Sequence, residues 1–200
     1  MSESVVPKRT NPKIYDGGLQ WKDPAPRFIG IDQSYGGFAV TSIIADGRFH
    51  TEVYEGQGKG VDRLFDIQKF LGRYFEYSEN VKNVAMEGYA YGSQMAHMAG
   101  ELGGLVKLEL RHWFPEENAK YPLIVVPSQV KKYVTGKGMG VKKNQILMHV
   151  YKKWGVEFDD DNAADSYALA RIAAGMQDLA YEKDILKKLL DPKYREKPVP

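Results

Sequence analysis

The chain has 200 residues, 43% hydrophobic and 27% charged, with a formal net charge of +2 and no cysteine. That length suits one domain with its own core, and the lack of cysteine excludes a disulfide framework, a thiolate zinc site and a cysteine nucleophile. No stretch approaches the roughly 20 apolar residues of a membrane span and Met1 to Pro26 resembles no signal peptide, so a soluble, intracellular protein is expected, while so small a net charge leaves nucleic-acid binding open until the charges are located.

Residues 1–26 are rich in Ser, Pro, Lys, Asn and Gly and lack a hydrophobic period, which predicts an irregular extension packed locally through Ile14, Tyr15 and Trp21. The folded domain is expected over 27–191. It opens with Phe28 to Asp32, apolar on both faces, then a turn at Tyr35-Gly36-Gly37, a strand over Phe38 to Ile44, the hairpin signal Asp46-Gly47, and a strand over Phe49 to Tyr54. Val61, Leu64, Phe65, Leu71 and Phe75 recur at helical spacing and predict a helix to about Tyr77. Val84 to Glu87 reads as a buried strand, Met95 to Leu110 as a second helix and Leu123 to Val126 as a fifth strand. Helices follow near Gln129 to Val134, Lys142 to Trp154, Asn162 to Met176 and Leu179 to Leu190, with a frayed tail over 192–200. This order implies an α/β fold with a mixed five-stranded sheet and helices on both faces.

Three acids stand where charge is unfavourable. Asp32 closes a strand apolar on both faces and Glu87 closes another. Each has an ordinary explanation, a turn Asp accepting backbone N–H bonds or a solvated strand end. Asp165 lies about one turn into a helix whose face continues through Ala164, Ala168 and Ala173, small residues that permit close approach to a sheet. Asp161 or Asn162 shares its face, whereas Asp160 or Asp161 suits a helix cap. Carboxylates that converge need a cation, and an oxygen-only set without Cys or a His cluster selects Mg²⁺ or Mn²⁺, consistent with a two-metal phosphodiester site.

From Ser128 to Val156 there are seven lysines, Lys131, Lys132, Lys137, Lys142, Lys143, Lys152 and Lys153, and no Asp or Glu. They form a positive surface suited to phosphate contacts, against the alternative of a solvated helical face. Gly136-Lys137-Gly138-Met139-Gly140 lacks the ending of a P-loop and reads as a flexible loop touching a DNA backbone. Tyr89 and Tyr91 are open between core packing and stacking on an unpaired base.

These pieces together resemble the RuvC-type Holliday junction resolvases of the RNase H-like superfamily, and the N-terminal extension, which lies outside the shared pattern, points to a phage-type relative. The motifs are Phe28-Ile29-Gly30-Ile31-Asp32-Gln33-Ser34, Val84 to Tyr89, Val125 to Lys131, Thr135 to Gly138, Lys142 to Ile146 and Asp161 to Ala170, in the family's order. The resemblance implies an RNase H-like fold, Asp32 shared between two Mg²⁺ ions, Glu87 and Asp165 as further acids, and Lys142 or Lys143 near the scissile phosphate. It also implies a homodimer resolving four-way DNA junctions in the cytoplasm of a bacterial or phage-infected cell. Two positions depart from the family: Asn162 stands where it has an acid or a His, which makes Asp161 the substitute, and Ala90, between Tyr89 and Tyr91, replaces an aromatic. An actin-like ATPase or sugar kinase also begins with a Gly-x-Asp strand, but such a protein has a second nucleotide-binding domain for which there is no room. A junction-binding protein without catalysis is the other alternative, and the set of acids argues against it.

Overall fold

The computed structural model describes residues 12–56, 58–88 and 96–191. Its sheet grows outward from a meander. Strands β2 (Arg27–Gln33), β3 (Phe38–Ile43) and β4 (Phe49–Tyr54) pair antiparallel, and Gly47, at φ +91°, supplies the left-handed residue of the β3–β4 hairpin. Helix α1 (Gly60–Glu76) then crosses the sheet and delivers β5 (Val81–Glu87) parallel to β2. Helix α2 (Ala96–Trp113) and the single turn α3 (Glu117–Lys120) lead to β6 (Leu123–Val125), parallel to β5. Four helices complete the chain: α4 (Pro127–Thr135), α5 (Lys143–Trp154), α6 (Asp161–Ala173) and α7 (Ala180–Leu189).

The sheet has six strands rather than the five expected. The extra strand, β1 (Lys13–Gly17), pairs antiparallel with β4 inside the segment expected to be irregular, and the sheet order is β1-β4-β3-β2-β5-β6. Its hydropathy is inverted for a strand of this sheet: Ile14 is 54% exposed while Lys13 and Tyr15 are half-buried, so alternation gives no signal. Arg27 ties the following residues down. Its side chain is buried, stacks on Trp21 and donates to the Gln20 and Trp21 carbonyls at 2.8 and 2.6 Å. Residues 1–11 and the expected tail at 192–200 lie outside the described residues.

Two cores sandwich the sheet. Ile29, Ile31, Val40, Val84 and Met86 pack under α1 and α2, and Ala39, Ile43, Ala85, Leu123 and Val125 pack under α4 to α7. Because side chains alternate across a strand, Phe28, Gly30 and Asp32 of β2 and Ala85 and Glu87 of β5 share the second face. There α6 crosses β2 at backbone contact. A Cβ on Gly30 would stand 2.0 Å from the Ser166 carbonyl oxygen and 2.2 Å from the Ala170 nitrogen. Ala163, Ala164, Ala168 and Ala170, all fully buried, provide the small helix face this approach requires. The seam is keyed by Thr41 and Ser166, whose hydroxyls lie 2.8 Å apart.

Candidate active site

The parallel strands β2 and β5 end side by side, with Ile31 in register with Met86, so Asp32 and Glu87 emerge together at the carboxyl edge of the sheet. The chain leaves β2 toward β3 on one side and reaches β5 on the other. Such a switch point leaves a crevice at the strand ends where ligands of open α/β sheets bind. Gln33 fixes the pair by donating through Nε2 to the Glu87 carbonyl. Its signal in the sequence is only a polar residue ending an apolar strand, too little to mark a role.

Asp32 is 3% exposed, and its Oδ1 is buried with no hydrogen-bond partner. Burial pushes its carboxyl well above the ordinary Asp range. The charges of Glu87 and Asp165 and a hydrogen bond with Glu87 push it the same way, while the Ser34 backbone N–H opposes them. The ordinary turn contact is thus present and is outweighed. A buried carboxylate that meets two further acids with one oxygen unpartnered is stabilised either by a proton or by a cation.

Asp165 comes from α6, one turn into the helix, held there by the contact of Gly30 with Ser166 and Ala170. Asp160 is the cap: its carboxylate accepts from the backbone N–H groups of Asn162 and Ala163 at 2.8 and 3.2 Å. Asp161, half-buried, opens the first helical turn. The Asn162 amide donates to the Asp160 carboxylate at 3.0 Å and packs against Gly37, where an added Cβ would stand 2.4 Å from Nδ2. The first turn of α6 is thereby keyed to the β2–β3 turn.

The acids meet pairwise at Asp32. Among the described residues no three His, Cys, Asp or Glu side chains already stand as a cluster that could hold a metal ion. In donor chemistry the site still fits a hard divalent cation, because its groups are carboxylates and one buried Asp32 oxygen has no hydrogen-bond partner.

The basic segment reaches the same edge. Helix α4 starts there, after β6, and the loop behind it folds back, since a Cβ on Gly138 would lie 3.2 Å from the Ser128 carbonyl oxygen. Lys153, near the end of α5, donates to the Tyr133 and Val134 carbonyls near the end of α4, so the two helices start at the same end. Lys142, exposed, precedes α5, and Lys143 begins it. Lys132 and Lys137 are exposed, and Lys131 is half-buried. Lys153 departs from the expected surface: its ammonium is paired with the fully buried Glu182 and also bonds Tyr181, so it joins α5 to α7. The side chain of Lys143 and all of Tyr89 and Tyr91 lie outside the described residues.

No protein-family model and no curated protein matches the sequence. Among solved structures the chain is similar to Thermus thermophilus RuvC, with a TM-score of 0.58 and 18% identity over 84% of this chain and 97% of that one. It is similar also to T. thermophilus RuvC in complex with Holliday junction substrate, with a TM-score of 0.56 and 20% identity over 72% of this chain and 90% of that one. The chain has the RuvC fold. At this identity the likeness concerns architecture, an RNase H-like mixed sheet covered on both faces, as the motif order implied. The sixth strand changes the count and leaves the architecture intact. Among the described residues no helix is long and apolar enough to cross a membrane.

Proposed function

We propose that the protein is a Mg²⁺-dependent, structure-selective endonuclease that cuts branched DNA, four-way junctions above all, as a cytoplasmic homodimer. The observation that carries this reading is the buried Asp32 carboxylate, unpartnered at Oδ1 and facing Glu87 and Asp165 at the switch point of the sheet. The likeness to a RuvC structure that holds a Holliday junction substrate supports the choice of substrate.

In this reading Asp32, Glu87, Asp165 and Asp161 hold two divalent cations, Mg²⁺ or Mn²⁺. When bound, the ions supply activation of the attacking water and charge stabilisation on the leaving 3′ oxygen. Asp32, on which the charges of both Glu87 and Asp165 act, would be the ligand shared between the ions, and Gln33 ties the Glu87 backbone to the end of β2. Lys142 and Lys143, at the start of α5, would oppose the charge that builds on the scissile phosphate. Lys131, Lys132 and Lys137 hold the flanking backbone, and Tyr89 and Tyr91 contact bases.

The test is incubation of the protein with a synthetic four-way junction, a fork, a duplex and a single strand, with and without Mg²⁺. Paired symmetrical nicks confined to the junction and dependent on Mg²⁺ are expected. Junction binding without cleavage in Mg²⁺ or Mn²⁺ would identify a binding protein instead.

A further inference from the structure

Strand β1 does more than lengthen the sheet. It runs antiparallel to β4 with Lys13 opposite Val53 and Tyr15 opposite Thr51. Val53 faces the core beneath α6, so Lys13 and Tyr15 stand on that side too, at the edge from which α6 begins. Both reach one residue. The Lys13 ammonium lies 2.7 Å from the Asp159 carboxylate, and the Tyr15 hydroxyl donates to the same group. Tyr15 also packs edge-on against Phe158, with ring centroids 5.0 Å apart. Phe158 is 6% exposed and is itself held between Phe49 of β4 and Tyr167 of α6, at 5.8 and 5.6 Å.

Asp159 directly precedes Asp160, the cap of α6, and Asp161 and Asp165 follow within the next turn and a half. The start of this helix is therefore held from two sides, by Asn162 against Gly37 on the inside and by β1 on the outside. We infer that β1 is a positioning element of the active site, in which Lys13 and Tyr15 clasp Asp159 and so fix the first turn of α6. The inference rests on the nuclease reading for its consequence, though not for its geometry. An exposed ion pair is weak alone, but it acts here with a hydrogen bond and a buried ring contact on one dipeptide. A catalytic group displaced by 1 Å loses about a hundredfold in rate, so a small gain in order at this turn matters.

The test is the double variant Lys13→Met/Tyr15→Phe in the full chain, which keeps the ring contact on Phe158 and removes both polar contacts to Asp159. Hydrogen exchange of the amides from residue 160 to 165 should speed up about threefold or more, as expected when an ion pair and a hydrogen bond are removed. Exchange in the middle of α2 should not change. Mn²⁺ affinity, read by electron paramagnetic resonance, should fall, and the Mg²⁺ needed for half-maximal junction cleavage should rise, while junction affinity in EDTA stays that of the wild type. Lys13→Arg, which retains the pair, should behave as wild type. Unchanged exchange and unchanged Mn²⁺ affinity in the double variant would overturn the inference. If the wild type does not cleave junctions at all, the nuclease reading fails, and the exchange measurement still decides whether the clasp holds α6.

Discussion

Asp32 stands in a position unfavourable to folding. Its carboxyl is raised above the ordinary range by burial and by Glu87 and Asp165, so the folded state prefers its protonated form. A group raised in this way contributes its stability below the ordinary Asp range and loses it as pH climbs through the raised value. In EDTA the Tm of the wild type should therefore fall relative to that of Asp32→Asn as pH rises from about 4 toward neutrality, a comparison in which the acids held low elsewhere, such as Glu52, are common to both proteins. At neutral pH Asp32→Asn should melt a few degrees higher than the wild type, since about 1 kcal/mol moves Tm by roughly 2–4 °C at this size. Scanning fluorimetry across pH reads both, and a variant less stable than the wild type would show that Asp32 is compensated within the fold. The neighbouring acids of α6 divide differently. Asp160→Asn should be mild because an amide oxygen caps as a carboxylate does, whereas Asp161→Asn should raise the Mg²⁺ required for cleavage. The reverse order would move the ligand role to Asp160.

Among the elements, the crossing of β2 by α6 decides the site. Gly30→Ala would place a methyl 2.0 Å from the backbone of α6, with no flexible side chain to yield. The helix must shift, which should cost about 3 kcal/mol or more in chemical denaturation and displace Asp165 enough to abolish cleavage. Wild-type stability in that variant would mean that the helix and strand do not meet at backbone contact. Half of this crossing was legible in the sequence: the alanine-rich face around Asp165 reads as a close approach to a sheet, whereas nothing local marks Gly30 as the point of contact. Other elements were not. Strand β1 turns its apolar Ile14 outward and its Lys13 inward, so only pairing with β4 creates it. Lys153 sits in a run of lysines without acids, and nothing local reveals that Glu182, 29 residues on, is buried against it. Gln33 acts on a carbonyl 54 positions away. Periodicity reports faces and lengths, whereas these contacts depend on which distant segments meet.

At the scale of the molecule, the acids of the site and the basic segment meet at one edge of the sheet. The acids gather where β2, β5 and α6 meet, and the lysines of α4, α5 and their connecting loop extend from that same edge, although the total charge is only +2. That division predicts that metal and DNA are held by separable groups. Replacing Lys142 and Lys143 with Ala should weaken junction binding in EDTA and flatten its dependence on salt, because the log–log slope shrinks by about 0.9 for each phosphate that is no longer neutralised. An unchanged slope would place these side chains away from the DNA backbone. The division is tested most directly by one comparison, in which the wild type and Asp32→Asn are each given a labelled four-way junction, first in EDTA and then in Mg²⁺. Equal junction affinity in EDTA, with paired nicks in Mg²⁺ by the wild type and none by Asp32→Asn, is the expected result. Cleavage by Asp32→Asn at the wild-type rate would contradict a site built on that carboxylate.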